Sequence, residues 1–229
     1  MAGATMAVRM SALENETADA ERLRQGETAV RTAVLTDRVL SVGAGVRPGD
    51  PMLRRASALG IPVVRRSSGG TGVLHAPGDV AWAVVLPRGD RRRGPNLSAA
   101  YERLGRGPAE LYRSRGIPAA WLPAPGRSES CCFLGSRGKS LTVGPRVVGG
   151  AAQHLTGRAL LHHGVLPRSV DRTAHSALFG LTGEDLSRLA GTDDLGIDAP
   201  AEELAIELKE RIFESLAFGG DGHDGGDGR

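Results

Sequence analysis

One stretch decides the fold of this chain: Val63-Val64-Arg65-Arg66-Ser67-Ser68-Gly69-Gly70-Thr71-Gly72-Val73-Leu74-His75. An apolar strand runs into two arginines, a glycine turn follows, and a second strand leads out to the histidine. Glycines allow positive φ and a close approach of the backbone to a ligand, while guanidinium groups bind phosphate or carboxylate. The stretch therefore predicts an anion-binding loop, although an ordinary tight turn is the alternative. The candidate ligand-binding residues are Arg65, Arg66, Ser67, Ser68, Gly69, Gly70, Gly72 and His75.

Length and composition limit the class of protein. The chain has 229 residues, 40% of them hydrophobic and 24% charged, which is ordinary for a soluble α/β domain. The net charge of +3 comes with no basic helix and no aromatic-interleaved patch, so no nucleic-acid partner is expected. Neither a signal peptide nor a stretch of about eighteen apolar residues is visible, and we expect a cytoplasmic protein without membrane contact.

The spacing of apolar residues and turn formers predicts the order of elements. Helices are expected over 11–25 with Gly26 at the end, over 51–59, after Ser98 with a break near Pro108, and from Pro200 onward. Strands are expected over 33–35, 38–42, 61–65, 117–122, 142–148 and 159–166, with a turn at Gly149-Gly150. Residues 219–229 are a Gly/Asp segment with no apolar residue, which predicts disorder.

Three further segments resemble motifs of one known family. They are Gly78-Asp79-Val80-Ala81-Trp82-Ala83-Val84-Val85, Gly149-Gly150-Ala151-Ala152-Gln153 and Leu160-Leu161-His162-His163-Gly164-Val165-Leu166. With the opening stretch, they are similar, in order, to four motifs of the lipoate-protein ligase and octanoyltransferase family. This family shares its catalytic domain with biotin-protein ligases, and the resemblance covers residues 11–217.

The resemblance implies an α/β (α+β) fold. It consists of one catalytic domain with a mixed, mostly antiparallel sheet flanked by helices, and it lacks the separate small C-terminal domain of the family. The implied activity is protein lipoylation, in which a lipoyl or octanoyl group is attached to a lysine of a carrier domain. The implied carrier is of the E2 subunit or glycine cleavage H protein type, and a ligase of this form could require an accessory small-domain polypeptide.

The same resemblance assigns further ligand-binding residues. These are Gly149, Gly150, Ala151 and His163. Because neighbouring residues of a strand point to opposite faces, one residue of the pair His162-His163 should face the core and the other should reach the pocket. No spacing typical of metal ligands is present, so no metal site is predicted.

One departure from the family concerns its lysine, which contacts the reacting carbonyl. Val147 stands at the matching position, and a valine cannot take over that contact. Arg146 is next to it, but a bulge or register shift would be needed to bring it to the same face. Lys139 is the other cation within reach, so Arg146 and Lys139 are the candidate replacements. The family's aspartate after the motif histidine is also missing, since Ala76 follows His75.

The two cysteines are adjacent, so we expect free thiols rather than a structural disulfide. Cys131-Cys132-Phe133 resembles the Ala-Cys-Phe that carries the nucleophile in one octanoyltransferase branch. Cys132 is therefore a candidate nucleophile for thioester exchange. A free cysteine is also commonly a small buried hydrophobe, and that alternative stays open here.

Three functions follow from these observations. The motif order favours a lipoate-protein ligase that uses lipoate and ATP with Mg through an acyl-adenylate. The cysteine segment favours a transferase that needs no cofactor beyond an acyl thioester. The missing lysine favours a non-catalytic paralogue that binds a lipoyl group or a carrier domain.

Overall fold

The computed structural model describes residues 7–135 and 138–218. Within these ranges the strands are β1 (Val8–Met10), β2 (Ala29–Leu35), β3 (Val39–Val42), β4 (Val63–Arg65), β5 (Gly72–His75), β6 (Val80–Pro87), β7 (Ala119–Pro123), β8 (Lys139–Val143), β9 (Arg146–Leu155) and β10 (Ala159–Leu166). The helices are α1 (Ala12–Gln25), α2 (Pro51–Ala58), α3 (Leu97–Leu104), α4 (Arg106–Arg113), α5 (Arg172–Phe179), α6 (Gly183–Ser187) and α7 (Ala201–Phe218). The segment 219–229, for which disorder is expected, lies outside the described residues.

The strands form two sheets. The larger has the order β1-β2-β6-β10-β9-β8-β7, in which only β1 and β2 run parallel. The smaller has the order β4-β3-β5, with β3 parallel to β4 and antiparallel to β5. The expected mixed, mostly antiparallel architecture with flanking helices is confirmed.

Two large hydrophobic cores and a smaller cluster, in which Leu23 of α1 packs with Ala83, Val85 and Leu161 of the large sheet, hold the described layers together. In the first, one face of the large sheet packs on α3, α4 and α7, where Leu204, Leu208, Ile212 and Leu216 form the buried stripe that their spacing predicts. In the second, the small sheet packs on α2 and α5. Burying side chains of this size stabilises the fold by about 1.5–3 kcal/mol each, before the entropy of ordering is subtracted.

Helix α1 begins and ends with strong local signals. The Ser11 hydroxyl accepts a hydrogen bond from the backbone N–H of Glu14, and the backbone N–H of Ser11 donates to the Glu14 carboxylate, which forms a capping box. Gly26 ends the helix in the left-handed conformation with φ of +77°, as the sequence predicts. The buried face of α1 carries polar groups, because Asn15, Glu16 and Asp19 all point inward.

The start of α3 differs from the prediction. Asn96, not Ser98, caps this helix, since its side chain accepts a hydrogen bond from the backbone N–H of Ala99. The expected interruption is present at Gly105, and Pro108 lies in the first turn of α4, where a proline is tolerated.

The prediction of one strand over 142–148 is wrong. Strand β8 ends at Val143, and the chain turns at Gly144, where φ is +56°, before β9 begins at Arg146. The pairing of β8 with β9 contains a register shift between Leu141 and Thr142. The hairpin forms because glycine and proline at 144–145 favour a turn.

The expected turn at Gly149-Gly150 is also wrong, because both glycines lie inside β9. A Cβ atom on Gly149 would lie 2.9 Å from Leu166, and one on Gly150 would lie 2.8 Å from the ring of Phe133. These glycines are therefore explained by close packing within a sheet and not by turn geometry.

Across both described ranges, the helices are all too short or too polar to cross a membrane.

Candidate active site

A cleft opens between the small sheet and the large sheet, beside α1. Its empty volume is about 600 Å³ when the open solvent at its mouth is included. Its lining residues are Asn15, Glu16, Ser41, Arg66, Val73, His75, Ala81, Cys132, Phe133, Lys139, Ser140, Gly150, Ala151, Ala152, His163, Gly164 and Val165. Several sequence candidates therefore meet in one place.

The glycine loop 67–71 contributes no residue to the cleft lining but passes beside it, since a Cβ atom on Gly70 would lie 3.0 Å from the Sγ atom of Cys132. The N–H groups of Gly43 and Ala44 donate to the carbonyls of Thr71 and Ser68, which ties the loop to the end of β3. Within residues 7–135 and 138–218, no acceptor is hydrogen-bonded to the backbone N–H groups of 67–71. Gly70 has φ of +94°, a conformation that L side chains rarely adopt. The loop thus has the free donors that anion binding needs.

Arg66 is buried and already occupied by its own loop. Its Nε and Nη2 atoms donate to the carbonyl of Gly69 at 3.1 and 2.8 Å, Nη2 donates to Thr71 at 3.0 Å, and Nη1 donates to Ser41 at 3.0 Å. The predicted phosphate fork is therefore turned toward backbone carbonyls. What the guanidinium still presents to the cleft is its charge, with Nη2 at 4.0 Å from the Sγ atom of Cys132.

Arg65 lies outside the cleft lining. Its Nη1 atom donates to the carbonyls of Gly43, Ala44 and Val46 at 3.0, 3.2 and 2.9 Å. Arg65 therefore holds the loop that follows β3. Ser67, Ser68, Gly69, Gly70, Gly72 and Gly149 are likewise not among the lining residues, whereas His75, Gly150, Ala151 and His163 belong to them.

The two cysteines are free thiols in different surroundings. Cys131 is 1% exposed in the second core, and burial raises the pKa of its thiol to about 12. Cys132 is half-buried, lines the cleft and lies beside the Arg66 guanidinium. A neighbouring cation stabilises negative charge on sulfur, so Cys132 has the surroundings of a reactive thiol and Cys131 does not.

The two candidate replacements for the missing family lysine, Lys139 and Arg146, lie in different places. Lys139 lines the cleft, and its Nζ atom is 2.8 Å from the Oε1 atom of Glu102. Arg146 is outside the cleft and donates to the carbonyl of Asp194 at 3.3 Å. Val147 is buried in the second core next to Leu189. The register shift between β8 and β9 therefore does not bring Arg146 to the cleft.

The two adjacent histidines face opposite sides, as expected. His162 is enclosed between the rings of Trp82 and Tyr101, and burial lowers its pKa to about 3, so it is neutral. His163 faces the cleft. The Ser68 hydroxyl is 2.7 Å from its Nε2 atom, and the Asp19 carboxylate is 2.7 Å from its Nδ1 atom.

Asp19 is the last member of the hydrogen-bonded series Ser68–His163–Asp19. Burial raises the pKa of Asp19, but the hydrogen bond from His163 and the charge of Arg31 outweigh burial, so the pKa lies below its ordinary value. Because Asp19 is ionised, it accepts the hydrogen bond from Nδ1 of His163, and the Ser68 hydroxyl is bonded to the other ring nitrogen. The same carboxylate binds the guanidinium of Arg31.

His75 is buried at the end of β5 and lines the cleft. The aspartate that the family has directly after this histidine is Ala76 here. The carboxylate of Asp79 lies nearby instead, with Oδ2 at 3.8 Å from the Nδ1 atom of His75. Asp79 also accepts hydrogen bonds from the backbone N–H groups of Ala76 and Arg168, so it fixes the turn after β5.

Sequence reasoning missed the contribution of α1. Asn15, Glu16 and Asp19 face the cleft region, and Ser41 connects Glu16 to the small sheet through a hydrogen bond of 3.2 Å. A signal was present, because these polar residues share a helical face with Ala12 and Leu23. Polar residues at apolar-stripe positions indicate a polar partner inside the protein.

Comparison with known proteins identifies the family to which this architecture belongs. The family model of the lipoyl protein ligase A/B catalytic domain matches residues 12–212. The chain belongs to this family. An octanoyltransferase LipM from Exiguobacterium sibiricum is 35% identical over 144 residues, which cover 58% of this chain and 52% of that protein. The chain thus spans about half the length of this curated relative.

Solved structures agree with the family at the level of the fold. A lipoate-protein ligase A bound with ATP superposes with a TM-score of 0.75 at 20% identity, over 93% of this chain and 84% of that one. A bipartite lipoate protein ligase from Thermoplasma acidophilum, studied with its E2 lipoyl domain, gives 0.70 at 20% identity, over 92% and 82%.

Proposed function

We propose that this chain of the lipoyl protein ligase A/B family is a cysteine-dependent acyltransferase. It moves an octanoyl or lipoyl group from a donor thioester to a lysine of a lipoyl carrier domain. The observation that carries the proposal is the thiol of Cys132, which lines the cleft at 4.0 Å from a buried guanidinium. Between the two candidate mechanisms, these surroundings favour the thioester route over the adenylate route.

The first half of the reaction is thioester exchange. The Cys132 sulfur attacks the carbonyl carbon of the donor, a new C–S bond forms, and the donor thiol leaves with the proton that Cys132 gives up. The free N–H groups of 67–71 are suited to hold the carbonyl oxygen as charge develops on it. Val73, Ala81, Phe133 and Val165 supply an apolar lining for the acyl chain.

Lys139 is proposed to supply part of the charge that the family lysine provides elsewhere. It is the lysine of the cleft lining and stands at the mouth, where Glu102 holds it. Arg146 is not proposed for this role, since it binds the carbonyl of Asp194 outside the cleft. Val147 is part of the packing and takes no chemical role.

The curated relative supports this function by its name, octanoyltransferase. Because the match spans about half of that protein, its activity and its substrate stay proposals for this chain. The carrier domain as acceptor is supported by the E2 lipoyl domain that accompanies the bipartite ligase.

A lipoate-protein ligase that uses ATP with Mg is the second candidate. Two observations favour it. The fold is similar to that of a ligase bound with ATP, and the backbone N–H groups of 67–71 are unpaired among the described residues. His75, His163, Gly150 and Ala151 would then meet lipoate or its adenylate. The bipartite ligase suggests that such an enzyme would need an accessory polypeptide. The non-catalytic carrier-binding alternative rests on Val147 alone.

Carrier acylation from two donors tests the choice. The chain is incubated with an apo carrier domain and either octanoyl carrier protein without ATP, or lipoate with ATP and Mg. We expect carrier acylation from the thioester donor, its loss in Cys132→Ser and its retention in Cys131→Ser. Acylation only from lipoate with ATP, unchanged in Cys132→Ser, would replace the transferase by the ligase.

A further inference from the structure

Glu16 brings a carboxylate into the cleft from α1. Its side chain is 8% exposed, and Oε1 accepts a hydrogen bond from Ser41 at 3.2 Å. Its other oxygen, Oε2, is buried and has no hydrogen-bond partner among the described residues. A buried carboxylate oxygen without a donor is unfavourable, so this atom points to a ligand that supplies one.

The neighbours of Glu16 show which kind of ligand fits. Ligand atoms of Glu16, Asp19 and His163 all lie within 4.8 Å of one another. The carboxylate of Asp19 is already bound by Arg31 and His163, and both ring nitrogens of His163 are bonded. Among the carboxylate oxygens of these described residues, Oε2 of Glu16 is the one left without a donor.

A single free oxygen is a poor site for a metal ion, since Zn²⁺, Ca²⁺ and Mg²⁺ require four to eight ligands. It suits an alkylammonium group, which brings its own three N–H donors. The other charges of the cleft do not satisfy Glu16. The Arg66 guanidinium donates to backbone carbonyls and lies 3.5 Å from the Ser41 hydroxyl. The Lys139 ammonium is paired with Glu102. Of the residues that line the cleft, Glu16 is the acidic one.

We propose that Glu16 binds the ε-ammonium group of the acceptor lysine and removes its proton. This inference rests on the acyltransferase function proposed above, in which the second half of the reaction needs a neutral amine. A lysine amine is protonated at neutral pH and cannot attack a carbonyl in that form. Glu16 and Cys132 line the same cleft, so the amine that Glu16 holds is delivered to the cavity that contains the thioester.

The step balances as follows. The carboxylate of Glu16 takes one proton from the ammonium group, and the neutral nitrogen attacks the carbonyl carbon of the Cys132 thioester. A C–N bond forms, the C–S bond breaks, and the departing sulfur takes the second proton from nitrogen. The amide is released, Cys132 is again a thiol, and Glu16 gives its proton to solvent.

The experiment separates the two half-reactions in the full chain. Wild type and Glu16→Gln are first loaded with octanoyl carrier protein, and acylation of Cys132 is followed by intact mass. The acylated proteins are then mixed with an apo carrier domain or with hydroxylamine, which is largely unprotonated at neutral pH. Glu21→Gln, on the exposed side of α1, is the matched control.

We expect Glu16→Gln to be acylated within about threefold of the wild-type rate and to transfer to the carrier lysine about 10²–10⁴-fold more slowly. Hydroxylamine should release the acyl group from both proteins equally, because it needs no deprotonation. Glu16→Asp, which keeps the carboxylate, should recover part of the transfer rate, and Glu21→Gln should match wild type.

Three results would overturn the inference. Transfer to the carrier at the wild-type rate in Glu16→Gln removes Glu16 from the reaction. A parallel loss of acylation, hydroxylamine release and transfer means that Glu16 only supports the fold. If wild type itself forms no acyl adduct, the acyltransferase function fails first, and the inference falls with it.

Discussion

The two walls of the cleft are built by opposite means. One wall consists of Arg66, α1 and His163, with the glycine loop beside it, and it is held by buried charges and hydrogen bonds around Arg66 and Asp19. The other wall consists of β8, β9 and Phe133, and it is held by apolar packing in which glycines make room for neighbouring side chains. The polar wall provides the cleft with the charges of Glu16 and Arg66, whereas the apolar wall provides shape and one charge, that of Lys139 at the start of β8.

This difference explains why the family lysine can be absent without a polar substitute at its position. Val147 lies in the apolar wall and contributes to the core. The charges that face the cleft come instead from Arg66, Lys139 and Glu16. Changes in the two walls should therefore have different consequences for stability and for chemistry.

The largest effect is expected when a charge is placed in the apolar wall. Val147→Lys should lower the free energy of unfolding by about 4 kcal/mol, because the site is 3% exposed and belongs to an apolar cluster. Urea denaturation measures this change. Leu122→Lys, at a site that is 47% exposed, is the control and should change stability by less than about 0.5 kcal/mol. A stable Val147→Lys variant with increased acyl transfer would mean that this wall is part of the chemistry.

Removal of the central charge of the polar wall should have the next largest effect. Arg66→Ala should cost about 3 kcal/mol of stability, since the carbonyls of Ser41, Gly69 and Thr71 lose charged donors. Arg146→Ala removes one long contact at the surface and should cost less than about 0.5 kcal/mol. Equal losses in the two variants, measured by thermal and urea unfolding, would contradict the assignment of Arg66 to the loop interior.

The acid sensitivity of the molecule should be concentrated in the polar wall. The folded pKa of Asp19 lies below its ordinary value, so its ionised form stabilises the fold above about pH 4 and this contribution is lost as the pH falls further. Asp19→Asn should cost about 2 kcal/mol near neutral pH and progressively less below pH 4. Stability measured between pH 2 and pH 7 tests this; a constant difference between the two proteins would refute it.

The smallest effect is expected from a methyl group in the apolar wall. Gly150→Ala places a Cβ atom 2.8 Å from the ring of Phe133, and the ring must move, at a cost of about 1 kcal/mol. Gly157→Ala has open space around its Cβ position and serves as the control. Comparison of the two melting temperatures measures the difference. An unchanged Gly150→Ala would show that this wall is loosely packed.

The sequence predicts more about the backbone than about side-chain roles. Local signals predict α1 with its terminal Gly26, and the four-residue spacing in α7 predicts its buried stripe. The motif order also predicts the mixed sheet. The mixed sheet is implied by the resemblance to the family, whereas the two helix features depend on periodicity and on local capping, which can be recognised without tertiary contacts.

The roles of the site residues depend on contacts between distant segments, and here the sequence was less informative. Nothing in the pair Arg65-Arg66 indicates that both guanidinium groups bind carbonyls, because the carbonyls of 41–46 meet them only in the folded protein. The glycines of β9 indicate a turn when they are considered alone, and packing against Phe133 and Leu166 explains them otherwise. The position of Glu16 on the inward face of α1 indicates a polar partner, but only the folded protein shows that this partner lies in the cleft.

The central claim is that Cys132 carries the acyl group, and peptide mapping tests it most directly. The chain is incubated with octanoyl carrier protein without ATP, digested under mildly acidic conditions and analysed by mass spectrometry. The account predicts an octanoyl adduct on the peptide that contains both cysteines, located on Cys132, released by hydroxylamine and absent from Cys132→Ser. An adduct on Cys131, or no adduct while the carrier is still acylated from the same donor, would contradict it.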